Sequence, residues 1–211
     1  AEEFVPILRR ALPRLSTIYV GENWRFGRGR RGDVALLLAE GRKAGLSVYS
    51  APRVNYDGEP ISSTRIRALL EEGAIERANS LLGYTYLAEG VVKPGKRLGR
   101  TLGFPTLNLS WVPELVPKLG VYVVQVRGKG AQDWLPAVAN YGLRPTVETA
   151  VEPRLEIHLL GPCPLGEADE IEVQWLSFLR AEERFADIDA LRSQVGRDRS
   201  RALSHFGLTE G

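Results

Sequence analysis

At Gly83 the chain changes its texture, and that change constrains the fold more than any other feature of the sequence. Before it, helical and extended signals alternate. Phe4, Ile7, Leu8 and Ala11 recur at helical spacing, and the β-rich run Thr17 to Val20 stops at Gly21. Asp33 stands where an N-cap belongs, ahead of Ala35, Leu36, Leu37 and Leu38, and a second extended run follows at Leu46 to Tyr49. Ser62 or Ser63 caps a further helical stretch, Ile66 to Leu70, which Gly73 ends; a short helix then runs to Leu82. Strands separated by helices predict a parallel, doubly wound sheet.

Beyond Gly83 the extended runs follow one another: Tyr86 to Val92, Val121 to Val126, Trp134 to Ala139, Leu155 to Leu160 and Ile171 to Leu176. Leu155, Ile157 and Leu159 share one face of their strand, whereas Glu156 and His158 share the other. Such a series without intervening helices predicts a closed or nearly closed antiparallel barrel, which leaves no edge exposed. One amphipathic helix, with Ile188, Leu191, Val195 and Leu203 on a face, finishes the chain near Gly207. The expected organisation is two modules, residues 1–83 and 84–211.

Composition narrows the partners. A formal charge of +2 over 211 residues is too balanced for nucleic acid or an anionic membrane to be the main partner, although Arg25, Arg28, Arg30 and Arg31 cluster locally. The single cysteine, Cys163, forms no internal disulfide and brings no zinc-ligand spacing. With no apolar run of membrane-spanning length and no leader pattern, a cytoplasmic protein is expected. The chain contains no methionine and starts at Ala1, so either an initiator was removed or a longer protein's N-terminal piece is absent. Oligomeric state is not legible.

The segment from Gly90 to Asn108 is the most informative stretch. Gly95, Gly99 and Gly103 recur every fourth residue among Lys93, Lys96, Arg97 and Arg100. Glycines let backbone N–H groups approach phosphate oxygens, and basic side chains offset the charge; a flexible hairpin with solvated charges fits the spacing as well. No Gly-Lys-Ser/Thr triplet opens a helix, so this is not a Walker-type loop. Thr106 and Asn108, one residue apart, face the same way on an extended strand. Their neutral oxygens suit a hard cation held mainly by phosphates. Transfer of a phosphoryl group to an alcohol needs positioning, charge neutralisation and a base. Glu156 is the candidate base, His158 the competitor on its face, and a surface glutamate beside a structural histidine the plain alternative.

Together these motifs resemble the riboflavin kinase family, in particular its bifunctional prokaryotic members that also synthesise FAD. The residues that carry the likeness are the spaced glycines, Gly103-Phe-Pro-Thr-Leu-Asn108, Gly120-Val-Tyr122 and Asn140 to Thr146. Leu155-Glu-Ile-His158 and Leu179-Arg-Ala-Glu182 with Phe185 complete the set. The resemblance implies a six-stranded barrel, riboflavin and ATP as substrates, FMN as product, and Mg²⁺ or another divalent cation. It implies that Gly95, Arg97, Gly99, Arg100, Gly103 and Thr106 handle ATP phosphates. Thr106 and Asn108 would take the metal, Glu156 would be the base on the ribityl 5′-hydroxyl, and Arg180 and Glu182 would lie near the flavin. Two departures stand out: Leu107 where the family usually has alanine, and Gly161-Pro-Cys-Pro-Leu-Gly166 on what the family uses as its flavin-side loop.

Gly21 to Gly27, then Gly32-Asp33, resemble the glycine-rich segment of the family's Rossmann-like adenylyltransferase module, with Trp24 in place of phenylalanine. Ile61 to Arg67 resembles that module's second nucleotide motif, with Ser62, Ser63, Thr64, Arg65 and Arg67 as a remnant triphosphate site. The histidines of its first motif have no counterpart here, because His158 and His205 are the only histidines. The expectation is therefore FMN but not FAD from this chain alone. Two rival readings are a non-catalytic flavin- or nucleotide-binding regulatory module and a nucleic-acid-binding barrel. The latter requires exposed aromatics where Tyr122, Trp134 and Trp175 follow strand patterns.

Overall fold

The structure, a computed structural model, describes residues 1–95, 103–144 and 152–209. It divides into two compact units, Ala1–Ile61 and Ser62–Gly211.

In the first unit, β1 (Thr17–Gly21) and β2 (Ser47–Ala51) pair in parallel, with Ile18 opposite Val48. Helices α1 (Phe4–Ala11) and α2 (Val34–Lys43) accompany them, and the Asp33 carboxylate caps α2 by accepting from the Leu36 N–H at 2.9 Å. The core gathers Val5, Phe26, Leu37 and Leu46, with Phe4 and Trp24 packed against it. On α1 the buried residue is Val5 rather than Ile7, which is 55% exposed. The aromatic pair Phe4 and Phe26, with centroids 4.8 Å apart, anchors the start of the helix and turns Val5 into the core. A two-residue hairpin, β3 (Asn55–Tyr56) and β4 (Glu59–Pro60), turns through Asp57 and Gly58, both at positive φ, as a tight hairpin turn requires.

The second unit holds a closed barrel. Its strands are β5 (Leu87–Lys93), β6 (Leu107–Ser110), β7 (Gly120–Gly128), β8 (Leu135–Arg144), β9 (Glu152–Leu159) and β10 (Glu170–Ala181). They close in the order β10-β5-β6-β9-β8-β7, every pair antiparallel, so the closed antiparallel barrel expected from the strand series is present, with the six strands that the resemblance implies. Trp175, Tyr122 and Tyr141 fill the interior at ring distances of 4.6 and 5.4 Å from the indole, with Leu155 and Ile157 beside them. Burial pushes the Tyr141 phenol up to about 12 and raises that of Tyr122 as well.

Helix α5 (Ile188–His205) lies on the outside of the barrel. Its Ala202 and Leu203 pack with Val121, Val123, Val138 and Leu160, while Ile188, expected on the same face, is 56% exposed at the first turn. Two register shifts in β10, between Trp175 and Ser177 and between Phe178 and Arg180, set Phe178 opposite Tyr122 inside and Arg180 opposite Val121 outside.

Helices α3 (Ser63–Glu72) and α4 (Ile75–Leu82) belong to this same compact unit, so compactness divides the chain at Ile61 rather than at Gly83. The Asn79 side chain donates to the Trp175 carbonyl at 2.9 Å and accepts from the Tyr86 N–H at 2.8 Å; the Lys118 N–H donates to the Leu70 carbonyl at 3.0 Å. Gly83, left-handed at φ 74°, ends α4. No helix among the described residues is long and apolar enough to cross a membrane.

Candidate active site

Strand alternation puts polar residues on the barrel's outer wall, and register aligns them. Lys93 of β5 stands opposite Asn108 of β6, Asn108 opposite Glu156 of β9, and Glu156 opposite Asn140 of β8. Asn140 in turn faces Val121 of β7, and Val121 faces Arg180 of β10. Directly opposed residues on one face of an antiparallel pair have Cβ atoms about 4.5–5.5 Å apart, so this row is contiguous. Leu107 points the other way, buried opposite Ile157, as expected of the residue between Thr106 and Asn108.

Two cavities meet on the row. One, of about 340 Å³, is lined by Thr106, Glu156, Asn140, Arg180 and Glu182, with Phe104, Leu191 and Val195 among its apolar surfaces. The other, of about 370 Å³, is lined by Lys93, Gly95, Thr106 and Asn108. Thr106 borders both, while the cross-strand partners Glu156 and Asn108 fall one to each. A Cβ at position 95 would overlap the Asn108 carboxamide, and one at position 142 the Glu182 carboxylate; glycine at both places makes room for these side chains.

The first cavity contains a tight electrostatic cluster. Arg180 Nε donates to both Asp198 carboxylate oxygens at 3.0 Å, its Nη2 donates to Asp198 Oδ2 at 2.8 Å, and its Nη1 donates to the Ala181 carbonyl at 2.9 Å. Gln194 adds a bond to Asp198 Oδ1 at 2.9 Å, and the Asn140 amide donates to Glu182 at 3.3 Å. His158, the rival base, is otherwise engaged: its Nδ1–H donates to the Pro105 carbonyl at 2.9 Å and its ring meets Phe104 edge-on. Burial holds the imidazole below its ordinary pKa of 6.5, and neighbouring Arg199 adds to that. The histidine is a brace for the Phe104-Pro105 turn that delivers Thr106.

Of the residues singled out in the sequence, Glu156, Thr106, Arg180 and Glu182 share the first cavity, and Gly95, Thr106 and Asn108 the second. Gly103 borders a neighbouring open cavity with Phe104 and His158. Arg97, Gly99 and Arg100 lie outside the described residues. The 161–166 segment, which the resemblance sets on the flavin side, brings Cys163 and Leu165 to the cavity of Asn108. The cause is a pair of backbone bonds that draw the β9–β10 connection over β5, from Val92 to Asp169 and from Ala168 to Val92. On α3, the Ser62 hydroxyl accepts from the Arg65 N–H at 3.2 Å as a helix cap, with Ser63, Thr64 and Arg67 exposed around it. Asn140 and Asp198 carried no assigned role in the sequence. Asn140 alternates with the inward Ala139 and Tyr141, and Asp198 interrupts the apolar stripe of Leu191, Val195 and Ala202, so both left a readable signal.

Residues 82–206 match the flavokinase family, described as riboflavin kinase, and residues 1–65 match the FAD synthetase family. The bifunctional riboflavin kinase/FMN adenylyltransferase of Escherichia coli K12 is 39% identical over 210 residues, which is 100% of this chain and 66% of that protein. Its counterpart from Pseudomonas fluorescens is 38% identical over 85% of this chain and 57% of its own length. This chain therefore spans about two thirds of the first relative and less of the second. Among solved structures, one described as a macrolide-efflux protein from Streptococcus pneumoniae superimposes with a TM-score of 0.72 at 30% identity, over 88% of this chain and 59% of that one.

Proposed function

The chain belongs to the riboflavin kinase family, and on that premise we propose that it transfers the γ-phosphoryl group of ATP to the ribityl 5′-hydroxyl of riboflavin, giving FMN and ADP. The observation that carries this reading is the meeting of two cavities at Thr106, with Glu156 on one side and its cross-strand partner Asn108 on the other. Riboflavin occupies the first cavity and the ATP phosphates the second, so the hydroxyl and the γ-phosphorus come together at the boundary. The Glu156 carboxylate takes the hydroxyl proton as the new O–P bond forms, and the bond to the β-phosphate oxygen breaks to release ADP. Lys93 offsets phosphate charge from the end of the row.

Thr106 and Asn108 line one cavity with neutral oxygens that fit a divalent cation such as Mg²⁺ held mainly by ATP phosphates. Such a cation bound with ATP would neutralise the charge developing on the transferred phosphate. The same reading places the activity in the cytoplasm, with small molecules as its partners. Residues 1–65 match the FAD synthetase family, but with His158 and His205 as the sole histidines little or no FAD is expected from this chain, and the same assay reads it out.

The test is chromatographic separation of riboflavin, FMN and FAD after incubation with ATP and Mg²⁺. Glu156→Gln is expected to lower kcat by about 10²–10⁴-fold while riboflavin and ATP still bind. Full turnover by that variant would remove Glu156 from the role of base. Riboflavin binding without any FMN from the unsubstituted chain would favour the regulatory binding module.

A further inference from the structure

Asp198 is the one carboxylate among the buried polar residues, at 3% exposure. Burying a charge without a partner is expensive, and an apolar side chain there would continue the stripe that Leu191, Val195 and Ala202 already form. What the site contains instead is an ion pair on a cavity wall. Arg180 grips both carboxylate oxygens, and Gln194 fixes the carboxylate from one helical turn away. Of the five N–H groups of a guanidinium, three are committed to Asp198 and Ala181, which leaves one on each terminal nitrogen.

Charge accounting over the same cavity carries the argument further. Among the described residues, its lining contains four carboxylates, those of Glu156, Glu182, Glu183 and Asp198, and one guanidinium, that of Arg180. An arginine free of its partner would be an anchor for phosphate. Paired with Asp198, it offers neutral hydrogen bonding in a cavity whose described lining residues have a negative charge balance.

We propose that Asp198 is a positioning residue that holds Arg180 and cancels its charge, so that the cavity accepts a neutral flavin and disfavours the phosphorylated one. The inference rests on the riboflavin kinase reading. The device acts on specificity and on product release: phosphorylation turns an uncharged acceptor into an anion at the mouth of a cavity whose described lining has an excess of carboxylates, which favours its departure. Asp198 touches no reacting atom.

The experiment measures the affinities of riboflavin and of FMN, without ATP, by quenching of flavin fluorescence in the full chain. Asp198→Asn keeps the shape of the side chain and leaves the charge of Arg180 unbalanced. It is expected to tighten FMN relative to riboflavin by about tenfold, the size of a single charge interaction across a partly shielded cavity. The double variant Arg180→Gln with Asp198→Asn should return the ratio to that of the unsubstituted chain. In the unsubstituted chain, added salt should strengthen FMN binding while leaving riboflavin unchanged, which keeps the idea testable if Asp198→Asn does not fold. A folded Asp198→Asn variant with an unaltered FMN-to-riboflavin ratio, or FMN binding that weakens with salt, would overturn it. An unsubstituted chain that binds neither flavin would bring down the kinase reading itself.

Discussion

The two units of this chain stabilise a sheet in opposite ways. In Ala1–Ile61 two parallel strands have open edges and a core of four buried hydrophobic side chains, and Tyr19 and Tyr49 stack in the open at 5.0 Å. In Ser62–Gly211 the sheet closes on itself, and α3, α4 and α5 add buried surface to it. Closure satisfies every strand's neighbours from within, whereas an open pair depends on what packs against it. The lesson is that an ordered row of polar side chains needs a wall that cannot slip in register, and between the two units the barrel supplies it.

The largest test of this contrast concerns where the stable unit begins. A fragment of residues 84–211 loses the buried Leu69, Leu70, Ile75, Ala78 and Leu81, and with them both Asn79 bonds. At about 1.5–3 kcal/mol per large buried side chain, the loss rivals the whole stability of a typical domain, about 5–15 kcal/mol. The fragment 62–211 should therefore melt cooperatively in circular dichroism and 84–211 should not; equal melting would return the boundary to Gly83.

A smaller effect separates the units from the other side. Leu37 is fully buried in the first unit, and Leu37→Ala should destabilise it by about 2–5 kcal/mol. Limited proteolysis should then degrade residues 1–61 while the barrel's melting temperature stays put. A matching drop in the barrel transition would show that the two stabilities are not separate.

The smallest effect is a histidine pH dependence confined to the second unit, since His158 and His205 both lie in it. Burial lowers the folded-state pKa of His158, so the unfolded chain binds the proton more readily. Its contribution is intact above the ordinary value of 6.5 and is lost as pH falls below it, at no more than about 1.4 kcal/mol per pH unit. Between about pH 7 and 5 the barrel's melting temperature should fall more steeply than in His158→Gln. Identical slopes would remove His158 as the cause.

Much of this was readable from local pattern. The inward Leu155, Ile157 and Leu159 and the outward Glu156 and His158 follow from alternation alone, and so does the turning of Leu107 away from Asn108. The Asp33 and Ser62 caps lie where side-chain chemistry predicts them. What escaped is tertiary. Gly83 has the same signature whether a helix or a domain ends there, and the bonds of Asn79 that tie α4 to Trp175 and Tyr86 leave no mark in local pattern. The Arg180–Asp198 pair joins a strand to a helix across 18 positions, with β10's bulges deciding which way Arg180 points. The course of the 161–166 segment depends on backbone bonds that no side-chain pattern announces.

Because the row from Lys93 to Arg180 lies on one parity of the strands and the core on the other, the barrel's hydrophobic alternation also works as a reading frame. Deleting one residue ahead of Glu156 in β9 turns the carboxylate into the interior and a leucine out to solvent, so the fold rejects the error before any chemistry is attempted. Deleting two restores the frame but sets the wrong residue on the row, yielding a well-folded protein with a silent site. An evolving lineage would thus be policed strictly against single slips and loosely against double ones, and length changes should collect in the connections between strands rather than within them.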